Sequence, residues 1–245
     1  MFEPFEGMAG LRRLLDKDPV MNGILIHKIF SEGEKYKVWT DGNSVVAVRG
    51  RHAMFCGDWN GAEVPFHLLP KAPFWSSGAP FGAYEQVRRR YVMDWKSPCW
   101  TLVAPMPKRP NGGWENLMPL RQKDAPTVAR LWSLHDHPLP HIRECIKKYP
   151  SACIRVDGEL ASWGGNHFVT DKVAELGFAH TLRKYRRMGF GNRITIDLTH
   201  RLYGMDLTPY CYVFKTNEAS YEMCKGAGFE ERGDVAWFGA KRLKK

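Results

Sequence analysis

The chain has no apolar run that approaches the roughly 20 residues needed to cross a membrane, so no membrane-spanning segment is expected. It opens Met1-Phe2-Glu3-Pro4-Phe5-Glu6, acidic where a secretory leader is basic, and an Arg-rich, acid-poor transit segment is missing too. No Cys-x-x-Cys spacing occurs. The cysteines Cys56, Cys99, Cys145, Cys153, Cys211 and Cys224 are scattered, which reads as reduced, mostly buried thiols of an intracellular protein and makes the cytoplasm the expected location. Acidic residues are in deficit, 26 against 36 Lys and Arg, for a net charge of +10. Such a balance suits nucleic acid, but no nucleic-acid motif accompanies it. Residues 1–113 carry about +4 and the remainder about +6, so the excess is not an isolated basic tail.

What is present is enough to fold. At 44% hydrophobic residues in 245, the chain supports one large domain or two smaller ones. The clearest linker is Pro107-Lys108-Arg109-Pro110-Asn111-Gly112-Gly113, which sets expected domains of 1–113 and 114–245. The first half reads as mixed α/β. Residues 8–15 have helical spacing, residues 22–29 form an apolar run, and strands at 36–40 and 44–49 flank the hairpin turn Asp41-Gly42-Asn43. A strand near 53–56, a helix at 84–91 and a strand at 99–104 follow. The aromatic stretch 73–81 reads as core packing beneath a long loop, with stacking on a planar ligand as the alternative. His135-Asp136-His137, with His141 beyond, has ligand-like residues at close spacing. Pro138 and Pro140 mark it as loop and no second matching pair exists elsewhere, so no metal is expected.

The densest chemical signal is Arg186-Arg187-Met188-Gly189-Phe190-Gly191, placed where an apolar strand (173–182) gives way to an amphipathic helix from about Asn192. Two glycines allow a tight turn and close backbone approach. The first helical N–H groups lack partners within the helix, and Arg183, Lys184, Arg186, Arg187 and Arg193 supply positive charge. A pyrophosphate suits such a loop. By period-two alternation, Glu175, Gly177, Ala179 and Thr181 share one face of the preceding strand and Leu176, Phe178, His180 and Leu182 the other. Downstream come a β-rich run at 210–214, then Asn217 placed to cap a short helix that ends at Gly226-Ala227-Gly228-Phe229.

Strand, Arg-x-x-Gly-x-Gly, helix, strand, Asn, helix and Gly-Phe, in that order, resemble the GNAT superfamily of acyl-CoA-dependent N-acyltransferases over roughly residues 116–240. Met118-Pro119-Leu120-Arg121-Gln122-Lys123-Asp124-Ala125 resembles the family's first strand and helix, and residues 151–163, turning at Asp157-Gly158, its next two strands. Thr181-Leu182-Arg183-Lys184-Tyr185-Arg186 and Asn217-Glu218-Ala219-Ser220 are similar to the glycine N-acyltransferase-like branch, whose N-terminal half looks like a decayed copy of the same fold. The resemblance implies an α/β protein of tandem GNAT-like architecture, each domain a mixed central sheet flanked by helices. It implies acetyl-CoA or another acyl-CoA as co-substrate and a small-molecule amine or amino acid as acceptor. The pyrophosphate would rest on Arg186, Arg187, Met188, Gly189, Phe190, Gly191 and Asn192, with Asn217 nearby, and the pantetheine arm along Ala179, His180 and Thr181.

Direct attack by the amine needs a base, oxyanion donors and help for the departing thiolate. Glu175 is the candidate base, directly or through water, with a strand-end carboxylate paired to Lys172 or an arginine as the alternative. Where many members of the superfamily carry a tyrosine acid, seven residues after the Asn, this chain has Cys224; Tyr221 lies one turn earlier. The acid stays open among Cys224, Tyr221 and none, because a thiol with a pKa of about 8.5 is a tolerable leaving group. The loop at 135–141 is expected to line the acceptor site. The expected activity is N-acyl transfer to a primary amine, acetyl first. Longer or aromatic acyl transfer to an amino acid such as glycine, a non-catalytic acyl-CoA sensor, and a nucleic-acid-binding protein are the other readings.

Overall fold

The computed structural model describes residues 1–5, 7–105, 117–132 and 138–243. The linker at 107–113, the 113/114 boundary and His135-Asp136-His137 lie outside the described residues. Along the chain run β1 (Glu3–Pro4), α1 (Met8–Leu15), α2 (Gly23–Ile26), β2 (Lys37–Thr40), β3 (Ser44–Arg49), β4 (His52–Gly57), β5 (Phe74–Pro80), α3 (Phe81–Arg90) and β6 (Tyr91–Val103). Then come α4 (Ala125–Leu131), α5 (Pro138–Lys148), β7 (Ser151–Val156), β8 (Glu159–Val169), β9 (Val173–Thr181), α6 (Phe190–Tyr203), β10 (Thr208–Phe214), α7 (Glu218–Gly226) and β11 (Glu230–Leu243). Two compact units result: Met1–Thr101 with Val213–Asn217 and Glu231–Lys245, and Leu102–Tyr212 with Glu218–Glu230.

The first unit carries strands in the order β1-β2-β3-β4-β5-β11-β6. Its β2–β3 hairpin closes as the Asp-Gly turn foretells, with the Asp41 carboxylate accepting from the N–H groups of Asn43 (2.9 Å) and Ser44 (2.7 Å). The aromatic stretch at 73–81 is not a long loop. It forms β5, and strand alternation sends Phe74 into a core with Phe55, Tyr84, Val87 and Phe238, while Trp75 is 43% exposed and stacks on His52 at 3.6 Å. The final strand, which the sequence reading did not anticipate, runs antiparallel to β5, pairing Ala236 with Ala79 and Ala240 with Phe74. In strand order it stands between β5 and β6, so the chain's own segment occupies the place beside β5.

The second unit has the order β10-β9-β8-β7. β7 and β8 form a hairpin through Asp157 (φ 50°) and Gly158 (φ 81°), the left-handed pair that a two-residue hairpin turn requires. One sheet face is covered by α4 and α5, whose Val128, Ile142 and Cys145, with Trp132 just after α4, pack on Trp163 and Phe178. The other carries α6, through Ile194, Leu198 and Leu202 against Ala152, Ala174 and Leu176. Ahead of these helices, Met118 pairs with Cys153 in an antiparallel bridge, and α4 starts at Ala125.

β9 departs from simple alternation. Its pairing with β8 shifts register between Gly165↔Gly177 and Trp163↔His180, and Phe178 at that step has φ 37°. One extra residue in β9 is a β-bulge, and it exchanges faces along the strand. Glu175, Gly177 and Phe178 all lie on the α4/α5 side, while Leu176 packs toward α6. Beyond the bulge, His180 packs on Trp163, and Ala179 and Thr181 lie on the α6 side. The expectation that Glu175 shares a face with Ala179 and Thr181 is therefore corrected: the bulge lies between them.

Candidate active site

β9 pairs in parallel with β10 from Val173↔Thr208 to Tyr210↔Glu175, yet β9 runs on to Thr181. Glu175 thus sits where the ladder ends, and the stretch 176–181 continues beyond it. Glu175 is buried, and its Oε1 lies 3.1 Å from His167 Nε2 on the neighbouring strand β8. Its Oε2 is buried without a hydrogen-bond partner among the described residues. Asn166 Nδ2 donates to the Glu175 carbonyl (3.1 Å), which pins the backbone at the same point. The pairing with Lys172 or an arginine weighed from sequence is replaced by this pairing with a histidine.

Tyr210, opposite Glu175 in parallel register, shares its sheet face and is fully buried, with its ring 5.4 Å from that of Tyr212. Burial first, then Tyr212 and the Glu175 charge, push the Tyr210 hydroxyl well above the usual tyrosine range. It therefore stays protonated, a donor rather than an anion. Around His167 stand Trp132 (5.4 Å, edge-on), His141 (5.6 Å, edge-on), Phe168 (4.5 Å) and Phe178 (6.3 Å). His141, assigned from sequence to a loop lining the acceptor, lies in α5 and belongs to this wall.

The loop between β9 and α6 turns at Gly189 as expected, but the helix begins two residues earlier than expected, so Gly191 lies inside it rather than in the turn. Arg183–Tyr185 form one 3₁₀ turn, Arg187 (φ 66°) and Gly189 (φ 75°) are left-handed, and α6 starts at Phe190. Nothing lies within 4 Å of a Cβ placed on Gly189, so that face of the backbone is open to a ligand. A Cβ on Gly191 would stand 2.7 Å from Met223 Sδ on α7, so this glycine serves close packing of α6 on α7. Arg183, Arg186, Arg187 and Met188 are exposed, and Asn192 is half-buried. Arg186 Nε donates to the Thr181 carbonyl (3.2 Å), which ties the loop to the strand end, and Thr181 Oγ1 lies 2.7 Å from Ser162 Oγ. Lys184 pairs instead with Glu159, as does the Tyr185 hydroxyl (2.9 Å). Burial, then the Arg186 charge, pull the His180 pKa down, keeping that ring neutral beside the cations.

Cys224 lies on α7, buried, with Sγ 3.7 Å from Cys211 Sγ. Cys211 is the residue after Tyr210, so it points to the opposite sheet face from Tyr210 and Glu175. The contact between the thiols makes Cys224 the more acidic member and raises Cys211. Tyr221 is half-buried one turn earlier on α7, and Asn217 immediately precedes that helix. All six cysteines are free and buried. The structure thus gathers Thr181, Arg186 and Gly191 at the loop and sets Glu175 among residues that the sequence reading did not place in the site: His167, Tyr210, Tyr212 and Trp132. The alternation Trp163, Gly165, His167 was the available signal for His167. No helix among the described residues is long and apolar enough to cross a membrane, and no cluster of metal-ligating side chains occurs among them.

A strand pair that parts beside an arginine-glycine loop, in a unit built of mixed sheet and flanking helices, defines the GNAT class of fold. Two solved structures share it along almost the whole chain. A Drosophila protein superposes with a TM-score of 0.71 at 16% identity, covering 98% of each chain. A tandem GNAT protein from the clavulanic acid biosynthesis pathway does so with a TM-score of 0.54 at 11% identity, again covering 98% of each. Residues 155–238 match the FR47-like protein family, and human glycine N-acyltransferase-like protein 1 is 30% identical over 98 residues. That match spans 40% of this chain and 31% of the relative's own length. The chain shares the tandem GNAT fold of these structures and carries an FR47-like segment at residues 155–238.

Proposed function

We propose that the second unit transfers an acyl group, acetyl first, from acyl-CoA to the nitrogen of a small primary amine, with Glu175 as base. The observation that carries this reading is the unpartnered Oε2 of a buried Glu175 at the point where β9 outruns β10, in the same unit as the arginine-glycine loop. The Gly189 backbone and the N-terminus of α6 would hold the pyrophosphate, with Arg186 and Arg187 neutralising its charge. Asn192 would stand with them at the pyrophosphate, Ala179, His180 and Thr181 would border the pantetheine arm, and Asn217 would stand at the start of α7. Glu175 takes a proton from the acceptor ammonium, the neutral amine attacks the thioester carbonyl, and the tetrahedral adduct collapses as the C–S bond breaks, its excess N–H proton passing to the departing thiolate to give the amide and free coenzyme A thiol.

The acid stays with Cys224 or Tyr221, or with no residue at all. Tyr210, protonated and on the face of Glu175, joins them as a donor. An amino acid acceptor of the glycine type is favoured as a second reading by the human relative, whose name states that class. The deciding experiment is mass spectrometry of acyl-CoA retained on purification, followed by thiol release from acetyl-CoA with a panel of primary amines that includes glycine. Release of free coenzyme A only when an amine is present supports the proposal. Tight acyl-CoA binding without turnover on any amine would favour a sensor instead.

A further inference from the structure

We propose that His167 is the positioning residue of Glu175, donating from Nε2 to Oε1 so that Oε2 alone is left as the basic atom; this rests on the reading of Glu175 as base. Both side chains are 93% buried, and the pair is 3.1 Å apart, inside hydrogen-bond range. A carboxylate buried at that depth needs a donor, and Nε2 of His167 is placed to be one. With Nε2 protonated, Nδ1 carries the lone pair, in keeping with its lack of a hydrogen-bond partner among the described residues.

The strands are built around this ring. A Cβ on Gly177 would stand 2.3 Å from both Nε2 and Cδ2 of His167, so β9 has no side chain where the imidazole of β8 lies down. Gly165, which pairs with Gly177 across the ladder, leaves the same room for Phe178, 2.2 Å from where its Cβ would be. Two facing glycines thus seat two rings, one from each strand, and Trp132 and His141 close on the imidazole edge-on. Such a seat fixes χ angles and leaves the imidazole one orientation, which is what holding a catalytic carboxylate requires. Among the described residues the titratable groups around the pair are His141 of α5, with Cys145 beyond it, and Tyr210, Cys211 and Tyr212 of β10.

The test uses the full chain, acetyl-CoA and the fastest amine of the panel, across pH. His167→Gln keeps a donor near Oε1 and should hold kcat within a few-fold of wild type. His167→Phe keeps a planar ring and removes the donor. Its kcat should fall roughly 10- to 100-fold at neutral pH with acetyl-CoA affinity unchanged, a loss that the donor of His167→Gln recovers. Equal impairment of both variants together with lost acetyl-CoA affinity would show a packing role and overturn the proposal. So would a His167→Phe protein with wild-type kcat while Glu175→Gln is impaired. If Glu175→Gln itself turns over at the wild-type rate, the base reading fails, a separate outcome. Should His167→Phe not fold, imidazole ¹⁵N shifts of the wild type decide: an Nε2-protonated ring whose shift moves in Glu175→Gln is expected, and an Nδ1-protonated ring overturns the proposal.

Discussion

Gly177 of β9 lies directly beneath the imidazole of His167 from β8, at a distance that admits no side chain. Replacing it with alanine sets a methyl carbon 2.3 Å from ring atoms, and the ring cannot yield easily, because Trp132, His141 and Phe178 surround it. Gly177→Ala should cost about 1–3 kcal/mol of stability, the usual range for overpacking. It should also drive His167 away from Glu175. A shifted urea midpoint together with reduced turnover is expected. Unchanged turnover would mean that the ring has another place to go.

Much of this unit was legible from the order of its elements. The β7–β8 hairpin follows from Asp157-Gly158, and the turn before α6 from Gly189, because those turns need backbone conformations that few residues adopt. The face of Glu175 was not legible, since alternation assumes an unbroken strand and a bulge at Phe178 leaves no mark that a single sequence displays. β11 escaped for a different reason. Its place beside β5 is a pairing between residues more than 150 apart, which no local pattern encodes. His167 was visible only as one residue in an alternating run, and its significance comes from Glu175, on the next strand.

The loop proposed to hold pyrophosphate makes a prediction that separates Gly189 from Gly191. Gly189 is left-handed with open space beside it, so Gly189→Val strains the backbone by about 1–3 kcal/mol and blocks the approach of a phosphate. Gly191→Val collides first with Met223 on α7, so it should lower the melting temperature more. Acetyl-CoA affinity by calorimetry should fall in both. Arg186→Ala, which removes a charge-assisted contact, should weaken binding by about 1.5–3 kcal/mol. A folded Gly189→Val protein with wild-type affinity would remove the loop from the site.

Cys224 can be tested through its neighbour. Buried against Cys211 on the sheet face opposite Glu175, it packs as a core residue, and Cys224→Ser places a stronger polar group in that contact. Stability should fall by about 1–3 kcal/mol while single-turnover acyl transfer changes less than ten-fold. Cys224→Ala with an unchanged melting temperature and no acyl transfer would assign the thiol a proton-donating role instead. Tyr221→Phe, measured beside it, shows whether the hydroxyl one turn earlier takes that part.

The first unit predicts a pH dependence of stability. Burial first, with Lys28 and Arg49 adding to it, pulls His52 down to about 3, while its Nδ1 lies 3.0 Å from the Tyr36 hydroxyl. In the unfolded chain the same ring takes a proton near pH 6.5. Between these values the unfolded state binds more protons, so His52 makes the fold less stable as pH falls from about 6.5 toward 3. Urea unfolding at pH 7 and pH 4.5 should show the His52→Gln protein losing roughly ten- to hundred-fold less in its folding equilibrium than wild type over that interval. Parallel losses in both proteins would mean that His52 is protonated in the fold.

The proposed mechanism turns on Glu175. Its carboxylate lies against His167 at Oε1 and is buried and unpartnered among the described residues at Oε2, and its neighbour Tyr210 stays protonated, so in the proposed reaction the acidic proton of an acceptor ammonium goes to Oε2. Glu175→Gln keeps the shape and removes the basicity. Acyl-CoA binding should persist, because the loop before α6 is untouched. Turnover should fall by about 10²- to 10⁴-fold at neutral pH, the usual cost of losing a positioned base. The loss should shrink as pH rises toward the pKa of the acceptor amine, where that amine loses its proton to solvent. A carboxylate that served only the fold would instead lower turnover equally across the range or lower the melting temperature. Wild-type turnover in Glu175→Gln at neutral pH, with single-turnover kinetics showing chemistry to be rate-limiting, would move the base to solvent or to another residue.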